Sequence, residues 1–99
     1  MIFKIARFEV KPERREAAEQ AIREFAEYVA AQLEGSDWAT YRDKDHPNRY
    51  VSIISIVDER SEDWHRRAPG TKKFTDVLYP CLVGEVQFTD YELLATSEP

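Results

Sequence analysis

His65 stands in the run Trp64-His65-Arg66-Arg67-Ala68-Pro69, where an apolar strand hands over to helices. An imidazole titrates near pH ~6.5 when unperturbed, so a side chain of this type can accept or release a proton under neutral conditions. The other histidine, His46, shares a polar turn with Asp43 and Asp45. Those residue types can bind metal, but they have no recognisable ligand spacing here, and a solvated loop is expected instead. The single cysteine, Cys81, falls on an apolar helical stripe with no basic neighbour to activate it. It reads as a buried small hydrophobe, and without a second cysteine no internal disulfide can form, which suits a reducing compartment.

The elements that must position these groups follow from periodicity. Ile2 to Val10 has strand composition, and Lys11-Pro12-Glu13 opens a helix expected to run from Pro12 to Leu33. Ala18, Ile22, Phe25, Val29 and Leu33 recur at steps of three or four, Glu19 and Arg23 form an exposed i,i+4 pair, and Gly35 is placed to stop the helix. Trp38 to Arg42 reads as a second strand, Asp43 to Asn48 as a turn, and Tyr50 to Val57 as a third strand. Ser61 is expected to cap a short helix that Pro69-Gly70 ends. Phe74, Val77, Leu78, Cys81 and Leu82 then form the apolar stripe of a further helix kinked by Pro80, and Glu85 to Leu94 reads as a fourth strand. The order β-α-β-β-α-β is the α+β ferredoxin-like unit, an antiparallel sheet with helices on one face.

Ninety-nine residues make a single domain, spanning 1–99, whose core is thin, with only ~60 to 65% of the unfolded chain's surface buried. A net charge of −5 argues against a nucleic-acid partner, and no window has the ~18 apolar residues of a membrane span. The first strand pattern begins at Ile2 without a basic and apolar leader, so a cytoplasmic protein is expected. Both faces of the strands are apolar, with Ile2, Ala6, Phe8 and Val10 opposed by Phe3 and Ile5, and Ile54 and Ile56 opposed by Val51, Ile53 and Val57. An uncovered face of that kind exceeds what a monomer usually exposes, so a homodimer joined through sheet faces is expected.

The whole chain resembles the antibiotic-biosynthesis monooxygenase family of dimeric α+β barrels. The resemblance rests on Ile5-Ala6-Arg7-Phe8-Glu9-Val10-Lys11-Pro12, on Leu33-Glu34-Gly35, and on His65-Arg66-Arg67-Ala68-Pro69-Gly70-Thr71-Lys72-Lys73-Phe74, in that order and spacing. It implies oxidation of a quinol or aromatic polyketide-like molecule by O2 without metal, flavin or haem, in a pocket between helices and sheet. In that reading His65 is the catalytic candidate that receives or shares a phenolic proton. Arg7, Tyr41, Tyr50 and Tyr79 are candidate hydrogen-bond donors to the substrate, and Trp64 and Phe74 candidate aromatic walls.

Each assignment has a structural competitor. His65 could tie the short helix to the sheet, Tyr79 could pack beside Pro80, and Arg7 could be an exposed strand residue. A large aromatic such as Trp64 commonly anchors a short helix, and helical neighbours project about 100° apart, which separates Trp64 from His65. The chain also departs from the family pattern, with Ser55 and Ile56 where many relatives carry a carboxylate and a tryptophan, and Gly70 where a second histidine is common. A non-catalytic small-molecule-binding or accessory dimer is therefore an alternative. A haem-degrading relative is a further one, since such proteins carry a tryptophan in the short helix, as Trp64 does. Arg7 and Phe74, however, stand in the approximate places of their strand asparagine and iron-ligating histidine.

Overall fold

The first strand, β1 (Ile2–Glu9), lies inside an antiparallel sheet, paired with β3 (Arg49–Ile56) on one side and β4 (Gln87–Tyr91) on the other. β2 (Ser36–Arg42) pairs with β3 at the opposite edge, giving the strand order β2-β3-β1-β4 of a ferredoxin-like sheet. This computed structural model describes residues 1–33 and 35–98; Glu34, part of the Leu33-Glu34-Gly35 run, lies outside the described residues.

The long helix starts more tightly than expected. Pro12–Arg14 forms a 3-10 turn, which suits a proline with no N–H to donate, and α1 (Arg15–Gln32) follows. α1 buries Ala18, Ala21, Phe25 and Val29 on its inner side, while Leu33 is buried just beyond its end. Gly35 adopts φ +83°, a left-handed conformation that favours glycine, and its carbonyl accepts from the Val57 amide at 3.0 Å.

α2 (Glu59–Arg67) is capped by Asp58, not Ser61: Oδ1 of Asp58 accepts the Ser61 amide at 2.8 Å. A cap stands immediately before the first helical residue and accepts a free N–H of the first turn, and Ser61, in that first turn, is itself the donor. Ala68 then turns extended, ψ 138°, as residues before proline do, and Pro69, which ends the short helix as expected, also opens α3 (Pro69–Leu78). Pro80 converts the end of α3 into a 3-10 turn at Tyr79–Cys81. Leu78, Cys81 and Leu82 are buried as the stripe requires, whereas Val77 is 45% exposed. β4 is shorter than Glu85 to Leu94, and Leu93 and Leu94 lie beyond its end, exposed.

The helices cover the sheet face that carries the even-numbered residues of β1, β2 and β3. Ala6, Phe8, Tyr50, Ser52 and Ile56 are buried there. The opposite face presents Phe3, Ile5, Ala39, Val51, Ile53, Tyr41 and Tyr91, of which Ile53, Tyr41 and Tyr91 are 40, 55 and 47% exposed. Among the described residues no helix is long and apolar enough to cross a membrane.

Candidate active site

Backbone pairing places side chains of the covered face in rows. One row runs Trp38, Ile54, Lys4, Asp90 across all four strands, and the next runs Thr40, Ser52, Ala6, Phe88. The hydroxyls of Thr40 and Ser52 are hydrogen-bonded at 2.7 Å. Above these rows α2 and α3 stand off from the sheet and leave a cavity of about 720 Å³. Its floor includes Lys4, Ala6, Ser52 and Ile54, and its walls include Phe25, Trp38, His65, Phe74 and Leu78. That volume lies within the range of pockets that enclose small organic molecules, roughly 300–1,000 Å³.

One end of the cavity is aromatic. Phe25 and Phe74 stack at 4.3 Å between centroids, and Trp38 meets both edge-on, at 5.0 and 5.7 Å. His65 joins this group, its ring edge-on to Phe25 at 5.9 Å. The imidazole is 9% exposed, and its Nδ1 is buried without a hydrogen-bond partner. It therefore does not tie α2 to the sheet through a side-chain bond from Nδ1. Its backbone carbonyl instead accepts from Thr71 Oγ1 at 2.7 Å, which couples α2 to the first turn of α3. Burial pushes the His65 pKa below the ordinary 6.5, and the carboxylate of Glu62 one turn earlier opposes that shift. The shift favours the neutral ring, which is able to accept a proton. With Nδ1 sealed, Nε2 is the nitrogen left for that exchange.

Residues 1–77 match the sequence model of the family described as antibiotic biosynthesis monooxygenase. The chain belongs to that family. Solved structures agree on the fold of an antibiotic biosynthesis monooxygenase over nearly the full length. A conserved protein from Methanosarcina mazei is 26% identical, with 91% of this chain and 89% of that one aligned at a TM-score of 0.84. A crystal structure of an antibiotic biosynthesis monooxygenase is 18% identical over 96% of this chain and 100% of its own, TM-score 0.87. A Mycobacterium tuberculosis protein is 19% identical over 98% of both chains, also at 0.87. No curated protein matches the sequence significantly.

In this antibiotic biosynthesis monooxygenase domain the residues singled out from sequence separate into two groups. His65, Phe74 and Tyr79 line the cavity. Trp64, Tyr50, Tyr41 and Arg7 do not. Trp64 is 53% exposed on the outer side of α2, neither a core anchor nor a wall, because the next residue along the helix takes the inward position. Tyr50 is buried and its hydroxyl donates to Glu19 at 2.6 Å; burial, then that carboxylate, pushes its pKa up to about 12. Arg7 and Tyr41 occupy odd positions, so the pleat turns them to the uncovered face, where they border a second depression of about 540 Å³ with Glu9 and Arg49. With Trp64 and Arg7 outside the cavity and Phe74 stacked on Phe25, the residues on which a haem site was considered do not assemble.

Lys4, Phe25, Trp38 and Ser52 line the cavity without having been singled out. Strand phase carried the signal for three of them: Lys4 shares a phase with Ala6 and Phe8, and Ser52 and Trp38 are in register with that phase. Asp43 accepts the amides of Asp45 and His46 at 2.8 and 3.1 Å, which makes that loop a self-capped turn. Among the described residues no three His, Cys, Asp or Glu side chains converge on a possible metal position.

Proposed function

We propose that this protein is a cofactor-independent monooxygenase that oxidises a quinol or aromatic polyketide-like substrate with O2 in the cavity beside His65. The observation that carries the reading is a buried imidazole, its Nδ1 without a partner, at the wall of a mostly apolar cavity in a member of this family. An electron-rich phenol or anthrone reacts slowly with O2 until it loses a proton; the anion can then donate electrons itself. His65 Nε2 accepts that proton, and Phe25, Trp38 and Phe74 keep the ring in a water-poor space. For an anthrone the balance is one CH2 and one O2 giving one C=O and one water, so the substrate supplies every electron. Tyr79, half exposed at the cavity, and the Ser52 hydroxyl, which keeps hydrogen-bonding capacity beyond its Thr40 partner, are among the neutral groups that can hydrogen-bond a substrate oxygen.

The assembly proposed with this chemistry is a homodimer joined through the uncovered sheet face of Phe3, Ile5, Val51 and Ile53. Because the cavity lies on the other face, two copies can join without closing either site.

Oxygen consumption with a panel of quinols and anthrones tests the reading. Uptake above background that falls by roughly a hundredfold or more in His65→Ala supports it. Tight binding of an aromatic with no uptake for any substrate would instead favour a binding or accessory dimer, a reading supported by Ser55, Ile56 and Gly70 standing in place of the carboxylate, tryptophan and histidine of many relatives.

A further inference from the structure

We infer that the ligand of this cavity is an aromatic carboxylate, with its ring at the Phe25-Trp38-Phe74 end and its carboxylate on the ammonium of Lys4. The inference rests on the cavity being the ligand site, as proposed above, but not on His65 performing proton transfer.

Lys4 is a charged side chain on the helix-covered face of an interior strand, where its neighbours in phase are Ile2, Ala6 and Phe8. Its side chain is only 25% exposed. The row across the sheet runs from Trp38 through Ile54 to Lys4, and Asp90 follows on β4 outside the cavity wall. Adjacent strands lie ~4.8 Å apart, so Trp38 and Lys4 are separated by about 10 Å of floor. That is the length of a fused-ring or extended aromatic with an acid at one end. The cavity is therefore polarised along a measurable axis, apolar at β2 and cationic at β1.

The ion pairs already made by Lys4 do not remove this charge from the cavity. Nζ lies 2.8 Å from Asp90 and 3.7 Å from Glu62. Asp90 is 72% exposed and is not part of the cavity wall, so its carboxylate is open to water and can give way to a ligand carboxylate approaching the half-buried Lys4 from the cavity. The same separation recurs at the rim: Arg67 and Lys72 line the cavity, while their i±4 partners Asp63 and Asp76 do not. The lining thus carries four cations, Lys4, Arg66, Arg67 and Lys72, against the one carboxylate of Glu62, in a chain whose net charge is −5. A single negative charge suits Lys4, since Glu62 stays beside it and would repel a dianion.

Calorimetric titration of the full chain with 2-naphthoate and with its neutral counterpart 2-naphthylmethanol provides the test. The carboxylate is expected to bind roughly tenfold tighter or more, as a charge-assisted contact requires. That preference should vanish in Lys4→Met, persist in Lys4→Arg, and grow in Asp90→Asn, which frees the ammonium without altering the cavity wall; binding of the alcohol should change little throughout. Equal affinity for the two probes, no binding of either, or a preference that survives Lys4→Met would overturn the inference. The Asp90→Asn variant keeps the question decidable should Lys4→Met fail to fold, because unchanged naphthoate affinity there also counts against it. Should naphthoate be preferred while no aromatic supports oxygen uptake, only the catalytic reading falls. Should His65-dependent uptake occur with no carboxylate preference, only the present inference falls.

Discussion

Glu19 accepts from the Tyr50 hydroxyl at 2.6 Å and from Arg42 at 2.9 Å, with Arg23 at 3.3 Å, so one carboxylate fastens α1 to β2 and β3. The Tyr50 bond is the main cause of a Glu19 pKa below the ordinary 4.5, and burial opposes it. A carboxylate with a depressed folded-state pKa stabilises the fold above its ordinary titration range, and that contribution is lost as pH falls through the lowered value. Tyr50, raised from 10 to about 12, stabilises fully below pH 10 and loses its contribution as pH rises through about 12. Tyr50→Phe should therefore cost about 2 kcal/mol near pH 7 and flatten both the acid and the alkaline limb of a melting-temperature profile. Equal profiles for the two proteins would show that the contact contributes nothing. His65 makes a different pH prediction. Because its pKa lies below 6.5, a rate that needs the neutral imidazole should show an acid limb centred below pH 6.5, along the titration of His65 followed by NMR. An acid limb centred above 6.5 would assign the titration to another group.

The start of α3 packs against α1 with almost no clearance. A Cβ at Gly70 would sit 2.4 Å from the ring of Tyr28, so glycine is required there for space and not for its backbone angles. Gly70→Ala should cost about 1–3 kcal/mol in urea denaturation, as overpacking does, and much less in a Tyr28→Ala background. Additive effects in the double variant would place the strain elsewhere. The same contact shows what the sequence could and could not convey. Order, number and approximate bounds of the helices and strands were readable, because apolar spacing and Pro or Gly punctuation act locally. The alternation of β1 also marked Ile2, Ala6, Phe8 and Val10 as one face. Which side chains meet above that face depends on how α2 and α3 rotate and how far they stand off the sheet, and no local pattern encodes this. Hence Tyr50, a plausible donor by type, is held by Glu19, and Arg7 and Tyr41 fall on the wrong face. Lys4 is in the right phase, but nothing in its residue type marks it as part of a cavity floor.

One sheet serves two purposes in this molecule, with a cavity on the helix side and an uncovered apolar surface on the other. The uncovered surface predicts a dimer at micromolar concentration, and Ile53→Asp, at its centre, should shift sedimentation equilibrium toward monomer while leaving the cavity lining intact. A wild-type mass equal to a single chain would remove that proposal. Function turns on the other face, and the most direct measurement there is oxygen uptake by wild type and His65→Ala with electron-rich anthrones and quinols. The account predicts one O2 consumed per substrate oxidised, at a rate reduced by roughly a hundredfold or more in the variant; equal rates of uptake in both proteins would contradict it.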